Sequence, residues 1–554
     1  MSKHSQATSP QVNSPVALND RAAAIVLRHQ AQKIPHKRFV VTASQTITYQ
    51  EADQRADTVA NAFLALGIGV GERVAILMNN GIEYLDVWFG LSRIGGIQLP
   101  LNTAYKTPQL RHTLQRAPVS AIVVHSALLP ELLPLLKELP TLKKVILVGE
   151  PVAASTLHSC VSWEAFLQLT APIKNTFELR ASLAGAIMNT SGTTGPSKGV
   201  ILSHAQQYIL GRNIAKDMNL QPDDVYYNFF PLFHNTAQAM ITLPVLLTGC
   251  TMVLTERFSA SSFWSEVKTF GCTAFYYIGE ILHILLKTQP PEPIGPHRLR
   301  IGWGIGASAL DFDTFQDRYQ VKLRTGYGST EANVPVFLPP NVSHDGSVGR
   351  AIEGFEIRIA DPDMNPLPPL QKGEIMVRSQ ESCALMMGYD ADPLATLTAW
   401  QDLWFHTGDA GYLDEHGGLY FVGRLKDAIR VRGENISAFE VEQVISQCEG
   451  VMEVAAIAVP CELGGDDLKI VVVMSPGVPE SPEPLILEAQ RLLPKFAIPR
   501  YVEFVSTLPK TETNKVRKNV LREIPFNDKT WDRLKGSDRA KPLSVSQQQK
   551  QQQQ

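Results

Sequence analysis

The spacing of apolar residues in the first third of the chain alternates between the helical and the strand type. Thr48 and Glu51 match a capping box, and apolar residues then recur three or four positions apart until Gly67, which predicts a helix. The short apolar run at residues 74–78 predicts a buried strand, and a second helical face follows it over residues 84–91. Repeated alternation of this kind indicates an α/β fold built of layered, mostly parallel sheets and helices.

A second pattern starts after residue 426. Ser437 and Glu440 match another capping box, and it is followed by a helical face, two strand-like runs at residues 454–459 and 470–474, and a further helical face at residues 485–493. These elements indicate a smaller α+β domain of about 100 residues. The expected organisation is a disordered N-terminus over 1–20, a large domain over 21–425, a hinge at Lys426, a small mobile domain over 427–535 and a disordered Gln-rich tail over 536–554.

Composition narrows the class of protein. The 554 residues are 44% hydrophobic and 19% charged, which is enough apolar material for several cores. The 51 Lys and Arg against 54 Asp and Glu give a net charge of −3, so a global attraction for nucleic acid or anionic membrane is excluded. The six cysteines are scattered without a metal-binding spacing, and neither a membrane span nor a signal peptide is evident. We expect a cytoplasmic protein.

A loop rich in glycine and hydroxyl residues follows the apolar strand at residues 186–188. Glycines let the backbone approach a phosphate closely, while amides and hydroxyls donate hydrogen bonds to its oxygens. The loop is not a Walker A motif, because Ser197 and Gly199 flank the lysine where that motif needs Gly and then Ser or Thr. The residues expected to hold phosphate are Thr190, Ser191, Gly192, Thr193, Thr194, Gly195 and Lys198.

The loop resembles the phosphate loop of the adenylate-forming enzymes, which include acyl-CoA synthetases, peptide-synthetase adenylation domains and beetle luciferases. Other segments resemble that superfamily's motifs and stand in its order, namely residues 326–331, 406–409, 423–427 with 432–435, and 509–511 with Lys515. The chain is thereby identified as a member of the acyl-CoA synthetase branch. The loop at residues 433–437 is more similar to that of carnitine and crotonobetaine-CoA ligases than to that of long-chain synthetases.

This resemblance implies an ATP-dependent acyl-CoA ligase. In the first step a small carboxylic acid attacks the α-phosphorus of ATP in the presence of Mg²⁺, which forms acyl-AMP and releases pyrophosphate. In the second step the thiol of coenzyme A takes the acyl group, and AMP is released. An acyl-AMP ligase that loads a separate carrier protein and a non-catalytic nucleotide-binding homologue remain as alternatives. A homodimer is left open.

The resemblance also implies the roles of particular residues. Lys515 bridges the charge that develops in the first step, Thr330 donates to the α-phosphate, Glu331 and Thr194 hold the metal, and His234 borders the acid's carboxylate. The remaining nucleotide contacts are expected from Gly306, Ala307, Ser308, Tyr327, Gly328, Asp409, Arg424, Lys426, Arg432, Gly433 and Glu434.

The sequence indicates the identity of the carboxylic acid less closely than it indicates the reaction. By family position, the acyl group is bordered by His234, Tyr277, Trp303 and Gly304. One hypothesis combines Tyr276, Tyr277 and Trp303 with Glu280 in an anionic aromatic pocket, which would favour a cationic acid such as a betaine through cation–π attraction. The alternative is that the aromatic rings only pack and that Glu280 faces solvent.

Overall fold

The computed structural model describes residues 17–150, 160–171, 179–190, 198–288, 294–340, 342, 344–425, 429–431, 434–436, 438–461, 466–511 and 515–535. Leu18–Asp20, which we expected inside a disordered N-terminus, forms a short 3-10 turn. Arg21 directly after it forms an ion pair with Glu381 at 2.7 Å, which ties this segment to the large domain. The predicted hinge residue Lys426 and the predicted tail at 536–554 lie outside the described residues.

The first part of the chain alternates helices and strands, as the apolar spacing predicts, and α2 begins with the predicted capping box of Thr48 and Glu51. Its elements are α1 (Ala23–Lys33), β1 (Arg38–Val41), β2 (Thr46–Thr48), α2 (Tyr49–Ala65), β3 (Arg73–Leu77), α3 (Ile82–Arg93), β4 (Ile97–Pro100), α4 (Thr107–Arg116), β5 (Ala121–His125), α5 (Leu129–Leu132), β6 (Lys144–Val148), β7 (Cys160–Ser162), α6 (Trp163–Leu167), β8 (Ala184–Thr190), β9 (Lys198–Ser203), α7 (His204–Asp217), β10 (Val225–Asn228), α8 (Leu243–Thr248), β11 (Thr251–Leu254), α9 (Phe263–Phe270), β12 (Ala274–Ile278), α10 (Gly279–Lys287), β13 (Ile301–Ile305), α11 (Ala309–Tyr319), β14 (Lys322–Ser329), β15 (Asn333–Phe337) and β16 (Arg350–Ala351).

The remaining elements fall on either side of the predicted hinge. Before it come β17 (Phe355–Ala360), β18 (Gly373–Ser379), β19 (Gly388–Tyr389), α12 (Pro393–Ala399), β20 (Trp400–Gln401), β21 (Trp404–Leu413) and β22 (Leu419–Arg424). After it come β23 (Ile429–Val431), β24 (Glu434–Ile436), α13 (Ala438–Ser446), β25 (Val451–Pro460), β26 (Asp466–Met474), α14 (Pro482–Leu492), β27 (Tyr501–Phe504), α15 (Lys518–Glu523) and β28 (Trp531–Asp532).

Two large sheets form the layers of the large domain. One has nine strands in the order β16-β15-β14-β13-β12-β10-β11-β1-β2, and the other has eight in the order β19-β9-β8-β4-β3-β5-β6-β7. Their central strands pair in parallel, which confirms the predicted α/β class. One hydrophobic core joins the two layers, because it contains both Val74 of β3 and Tyr227 of β10. Within the described part of the chain, no helix combines the length and the apolar character needed to cross a bilayer.

A third sheet is entirely antiparallel and was not anticipated from the sequence. It contains β17, β18, β21 and β20, and β22 pairs with the edge of β21 opposite to β18. The register of β21 and β22 places Asp409 opposite Arg424. This sheet therefore brings two sequence-predicted nucleotide residues together.

The C-terminal region has its own sheet and core. Strands β25, β26, β27 and β28 form a four-stranded sheet on which α13 and α14 pack. The core joins Val441 and Ile445 of α13 to Ile470 of β26 and Leu485 of α14. The two helices and two strands that the sequence predicts in this region are all present.

Candidate active site

The turn between β14 and β15 carries Thr330 and Glu331. A Cβ atom at Gly328 would lie 2.1 Å from the Asn333 carbonyl oxygen, so this close approach requires glycine. Gln206, fully buried on α7, donates from Nε2 to the carbonyl oxygens of Thr330 at 3.1 Å and Glu331 at 3.2 Å. The backbone of the turn is thus held from inside the protein, while the Thr330 and Glu331 side chains are partly exposed.

Asp409 on β21 lies next to two other predicted nucleotide residues. The Tyr327 hydroxyl donates to Asp409 Oδ2 at 2.7 Å, and Arg424 Nε lies 2.9 Å from Oδ1. Burial raises the pKa of Asp409, and the Arg424 charge opposes that rise. Oδ1 makes no well-aligned hydrogen bond to the described residues, so it can still accept one from a ribose hydroxyl. The Tyr327 ring is largely buried, so its expected contact with adenine stays a prediction.

Lys515 reaches this site from the small domain. Its backbone is fixed by Thr511, whose Oγ1 accepts from the Lys515 amide at 3.1 Å. The side chain is open to solvent, yet it stands in a crevice whose walls displace much of the surrounding water, and this desolvation lowers the pKa of Lys515. Glu280, Asp409 and Glu331 oppose the lowering by attraction. The lysine of the small domain therefore interacts electrostatically with three carboxylates of the large domain, and Arg424 acts against them.

His234 lies at the start of an uncommon helical turn. Its Nδ1 is 3.1 Å from Thr236 Oγ1, and a π-helix follows over Thr236–Thr242. Burial, and then repulsion from Lys515, lower the pKa of His234 to about 4. The imidazole is therefore neutral at physiological pH.

A buried amide network that the sequence reasoning missed lies beneath His234. Gln98 donates to Gln238 Oε1 at 2.8 Å, and Gln207 donates to Asn235 Oδ1 at 3.1 Å. Gln238 also donates to the Leu232 carbonyl oxygen at 2.8 Å, so the network fixes the segment on either side of His234. The available signal was the glutamine pair at 206 and 207, which interrupts the apolar face of α7.

The predicted aromatic pocket is not assembled as expected. Tyr276 and Trp303 face each other across β12 and β13, with ring centroids 6.0 Å apart. Because successive strand residues point to opposite faces, Tyr277 lies on the other side of the sheet, where it packs over Gly304 and donates to the Arg324 carbonyl oxygen at 2.9 Å. Tyr277 and Gly304 therefore do not share a pocket face with Tyr276 and Trp303.

The position of Glu280 also differs from the one that the hypothesis of an anionic aromatic pocket requires. It lies in the first turn of α10, and its side chain is exposed. Desolvation by the crevice walls has the largest effect and raises the pKa of Glu280, and the charges of Lys515 and Lys510 of the small domain oppose that rise. Glu280 thus faces the small domain's lysines, and the four-residue anionic pocket is not formed.

The other predicted residues are partly described. Thr190 and Lys198 face each other at the end of the antiparallel β8–β9 pair, so the predicted phosphate loop connects two strands and not a strand and a helix. Gly306 adopts a positive φ of 76°, Ala307 is buried, and the Ser308 hydroxyl caps α11 by accepting from the Asp311 amide at 3.0 Å. For Glu434 only the backbone, in β24, is described. Ser191, Gly192, Thr193, Thr194, Gly195, Lys426, Arg432 and Gly433 lie outside the described residues.

Two protein-family models match this chain, one in the large domain and one in the small domain. Residues 27–390 match the AMP-binding enzyme model, and residues 440–515 match the model of the AMP-binding enzyme C-terminal domain. The first match alone spans more than half of the chain. The chain belongs to the AMP-binding enzyme family. In this enzyme the predicted motifs at residues 190–199, 326–331 and 509–515 lie within the matched regions, and those at 406–409, 423–427 and 432–435 lie between them. The two matches confirm the superfamily that the sequence indicated.

Individual relatives agree with this family. The enzyme is 30% identical over 484 residues to a crotonobetaine/carnitine–CoA ligase of Salmonella paratyphi A, and the match covers 86% of this chain and 93% of the relative. ATP-bound MatB of Rhodopseudomonas palustris is 27% identical, with a TM-score of 0.80 over 90% of this chain and 98% of that one. The anthranilate CoA ligase AuaEII in complex with anthranoyl-AMP shares the fold, with a TM-score of 0.83 at 23% identity over 91% and 96% of the two chains. The predicted AMP-forming acyl-CoA ligase class is confirmed, with ATP and coenzyme A as substrates.

Proposed function

We propose that this ligase activates a compact carboxylic acid with MgATP at the crevice between its two domains, and that Lys515 is the cation that bridges the reacting groups. The observation that carries the proposal is the position of Lys515, which interacts electrostatically with Glu331, Asp409 and His234 of the large domain. These residues are far apart in sequence, and each belongs to a segment expected to touch the nucleotide or the acid.

In the first step, the acid's carboxylate attacks the α-phosphorus and negative charge is redistributed over the phosphoryl oxygens. An ammonium group held in a partly desolvated crevice stabilises such charge more strongly than one in bulk water. Thr330 supplies a hydroxyl donor beside it, and Asp409 accepts hydrogen bonds from the ribose. Glu280 and the other carboxylates favour the protonated form of Lys515, which is the form that this step needs.

Magnesium is proposed to bind at Glu331. Among the described residues, no group of three or more His, Cys, Asp or Glu side chains could form a protein-only metal cage. Mg²⁺ is usually held by one or two carboxylates together with substrate phosphates, so a single partly exposed carboxylate fits this ion. Thr194, the second residue expected at the metal, stays a prediction. When bound, the ion would neutralise phosphate charge.

For the second step we propose that coenzyme A enters by a cavity beside His234. The cavity has a volume of about 320 Å³, and its walls include the apolar Phe230, Phe233 and Ile278 together with the charged Glu256 and Arg257. Such a lining suits a pantetheine arm, which is an alkyl chain interrupted by amides. The neutral His234 can hydrogen-bond the acid's carboxylate without adding a second positive charge beside Lys515. In this step the small domain would rotate about the predicted hinge at Lys426 and present the loop at residues 432–435.

Tyr276 and Trp303 are buried, so the proposed acid borders this pair through Phe230, whose ring lines the cavity and stands 5.1 Å from that of Tyr276. The Trp303 indole donates to Asp217 Oδ2 at 2.9 Å, and this bond holds the ring in place. A short quaternary-ammonium acid is the favoured candidate, because the curated relative is a crotonobetaine/carnitine–CoA ligase and because Phe230, with the buried Tyr276–Trp303 pair behind it, offers an aromatic surface that attracts a cation. The aromatic rings are thus proposed to recognise the cation, and Glu280 is proposed to favour the protonated form of Lys515. Small aromatic acids form the second class, since a structural neighbour is an anthranilate CoA ligase.

The test is ATP–pyrophosphate exchange across crotonobetaine, carnitine, their uncharged isosteric acids, anthranilate and benzoate. Exchange with at least one acid, followed by AMP release that depends on free coenzyme A, is the expected result. Exchange without release of AMP by free coenzyme A would point instead to a separate carrier protein as the acceptor. Absence of exchange with every acid, in a sample that binds MgATP, would contradict the proposal that these residues adenylate a compact acid.

A further inference from the structure

Tyr389 lies between two charged side chains that come from distant parts of the chain. Its hydroxyl donates to Glu331 Oε1 at 3.3 Å. Its ring lies under the Lys198 ammonium, with Nζ 4.6 Å from the ring centroid. Lys198 begins β9, directly after the predicted phosphate loop, and Glu331 is the carboxylate proposed for magnesium. One side chain thus touches both groups at once.

The backbone around Tyr389 is anchored on three sides. Strand β19 pairs with β9 in antiparallel register, and the Asp390 amide donates to the Gly199 carbonyl oxygen at 2.7 Å. The buried Asp390 carboxylate accepts two hydrogen bonds from Arg73, at 2.8 and 3.1 Å. The Tyr389 amide donates to Thr396 Oγ1 at 2.9 Å. The phenol is therefore held in a defined position relative to the strand that follows the phosphate loop.

The chemistry of the phenol suits a holding role. A phenol hydroxyl carries one proton, and Tyr389 donates it to the Glu331 carboxylate, which as an acceptor has none to give in return. A donor on one carboxylate oxygen limits rotation of the group. The aromatic face attracts the Lys198 ammonium through its quadrupole, which limits the range of a long and otherwise flexible side chain.

We propose that Tyr389 is a positioning residue for the nucleotide: its hydroxyl orients Glu331 and its ring retains Lys198. Because both groups are then set by one side chain, the metal position and the phosphate-binding charge are coupled. The inference rests on the proposed function, in which Glu331 meets magnesium, and on the prediction from the sequence that Lys198 meets the ATP phosphates. Tyr389 itself does not touch the reacting atoms.

The two contacts can be separated by two substitutions. Tyr389→Phe removes the hydroxyl and keeps the ring, whereas Tyr389→Leu removes both. We expect Tyr389→Phe to raise the free Mg²⁺ concentration for half-maximal ATP–pyrophosphate exchange about tenfold, the scale of losing a hydrogen bond to a charged group, with KM for ATP at saturating Mg²⁺ within twofold of the parent. Tyr389→Leu should add a rise of about fivefold in that KM, the scale of a cation–π contact.

Titration calorimetry of ATP into the intact protein at a series of free Mg²⁺ concentrations gives a readout that needs no acid. The Mg²⁺ concentration for half-maximal ATP binding should be higher in Tyr389→Phe than in the parent, as in the exchange assay. Tyr420→Phe is the matched control, because it loses a tyrosine–carboxylate hydrogen bond of 3.2 Å, to Asp345. Thioester formation from supplied acyl adenylate should be unchanged in all variants. The inference is overturned if Tyr389→Phe matches the parent in both the exchange and the calorimetric Mg²⁺ titrations, or if both Tyr389 variants lose thioester formation and thermal stability equally. A parent protein that binds MgATP without exchange would contradict the proposed function alone.

Discussion

The carboxylate of Asp409 and the guanidinium of Arg424 lie 2.9 Å apart on neighbouring strands, although the Arg424 side chain is half exposed and that of Asp409 is almost fully buried. Arg424 is the last residue of β22 and lies two positions before the predicted hinge at Lys426. A residue at the end of the large domain thus holds a buried carboxylate of the nucleotide site.

The first prediction concerns this carboxylate. Asp409→Asn keeps the shape but loses the charged acceptor, so KM for ATP should rise by about ten- to a hundredfold, as expected for hydrogen bonds to a charged group. Steady-state kinetics with varied ATP measure the change. Tyr327→Phe, which removes only the donor to Asp409, should raise KM by less than tenfold. A larger effect from Tyr327→Phe than from Asp409→Asn would contradict the assignment of Asp409 to the ribose.

The second prediction separates the two half-reactions. Lys515→Ala removes the cation that is proposed to stabilise the first transition state, so adenylation should fall at least a hundredfold, the scale of losing one electrostatic stabiliser. Thioester formation from supplied acyl adenylate should stay within about threefold of the parent, because the lysine is not needed for that step. The exposed Lys529→Ala is the control in the same domain. Equal loss in both half-reactions after Lys515→Ala would argue against a role confined to adenylation.

The third prediction tests which face of β12 borders the acid. Tyr276→Ala removes one ring of the stacked pair and should change the ratio of kcat/KM values between acids about tenfold or more. Tyr277→Phe, on the opposite face, should leave that ratio unchanged and lower the free energy of unfolding by about 1 kcal/mol, through loss of the bond to Arg324. Denaturant unfolding together with the acid panel measures both effects. A shift of acid preference in Tyr277→Phe would show that the assignment of faces is wrong.

The fourth prediction concerns Glu280. Because this carboxylate faces Lys515 and Lys510, Glu280→Gln should lower the rate of adenylation for every acid to a similar extent. The preference for quaternary-ammonium over neutral acids should then be unchanged, since the aromatic pair is proposed to recognise the cation. Kinetics of both acid types with the parent and the variant provide the measurement. A selective loss of the cationic acid would restore the role for Glu280 that the sequence suggested.

The fifth prediction is an acid sensitivity of the fold. Burial lowers the pKa of His204 to about 4, whereas an unfolded histidine titrates near 6.5. Between these values only the unfolded state takes up the proton, so stability is complete above about pH 6.5 and declines as the pH falls to about 4, by about 3 kcal/mol from this group. His204→Gln should flatten the pH dependence of the unfolding free energy over that window, whereas the exposed His36→Gln should not. Identical pH profiles for the parent and His204→Gln would contradict the prediction.

Sequence alone determined the elements and the chemistry that they carry. The capping box at Thr48, the apolar period of α2 and the run that forms β3 depend on burial and hydrogen bonding within a few residues, so local pattern was sufficient to find them. The order of the motifs from residue 190 to Lys515 likewise indicated the adenylate-forming family, which the family models confirm. These properties require no knowledge of which strands become neighbours.

Tertiary structure decided which residues meet. The antiparallel sheet places Asp409 opposite Arg424, and the pleat of β12 separates Tyr276 from Tyr277. The contact of Tyr389 with Glu331 joins residues 58 positions apart. Strand pairing over such distances depends on the packing of the whole domain, because many registers satisfy local preferences equally well and only the complete core selects one.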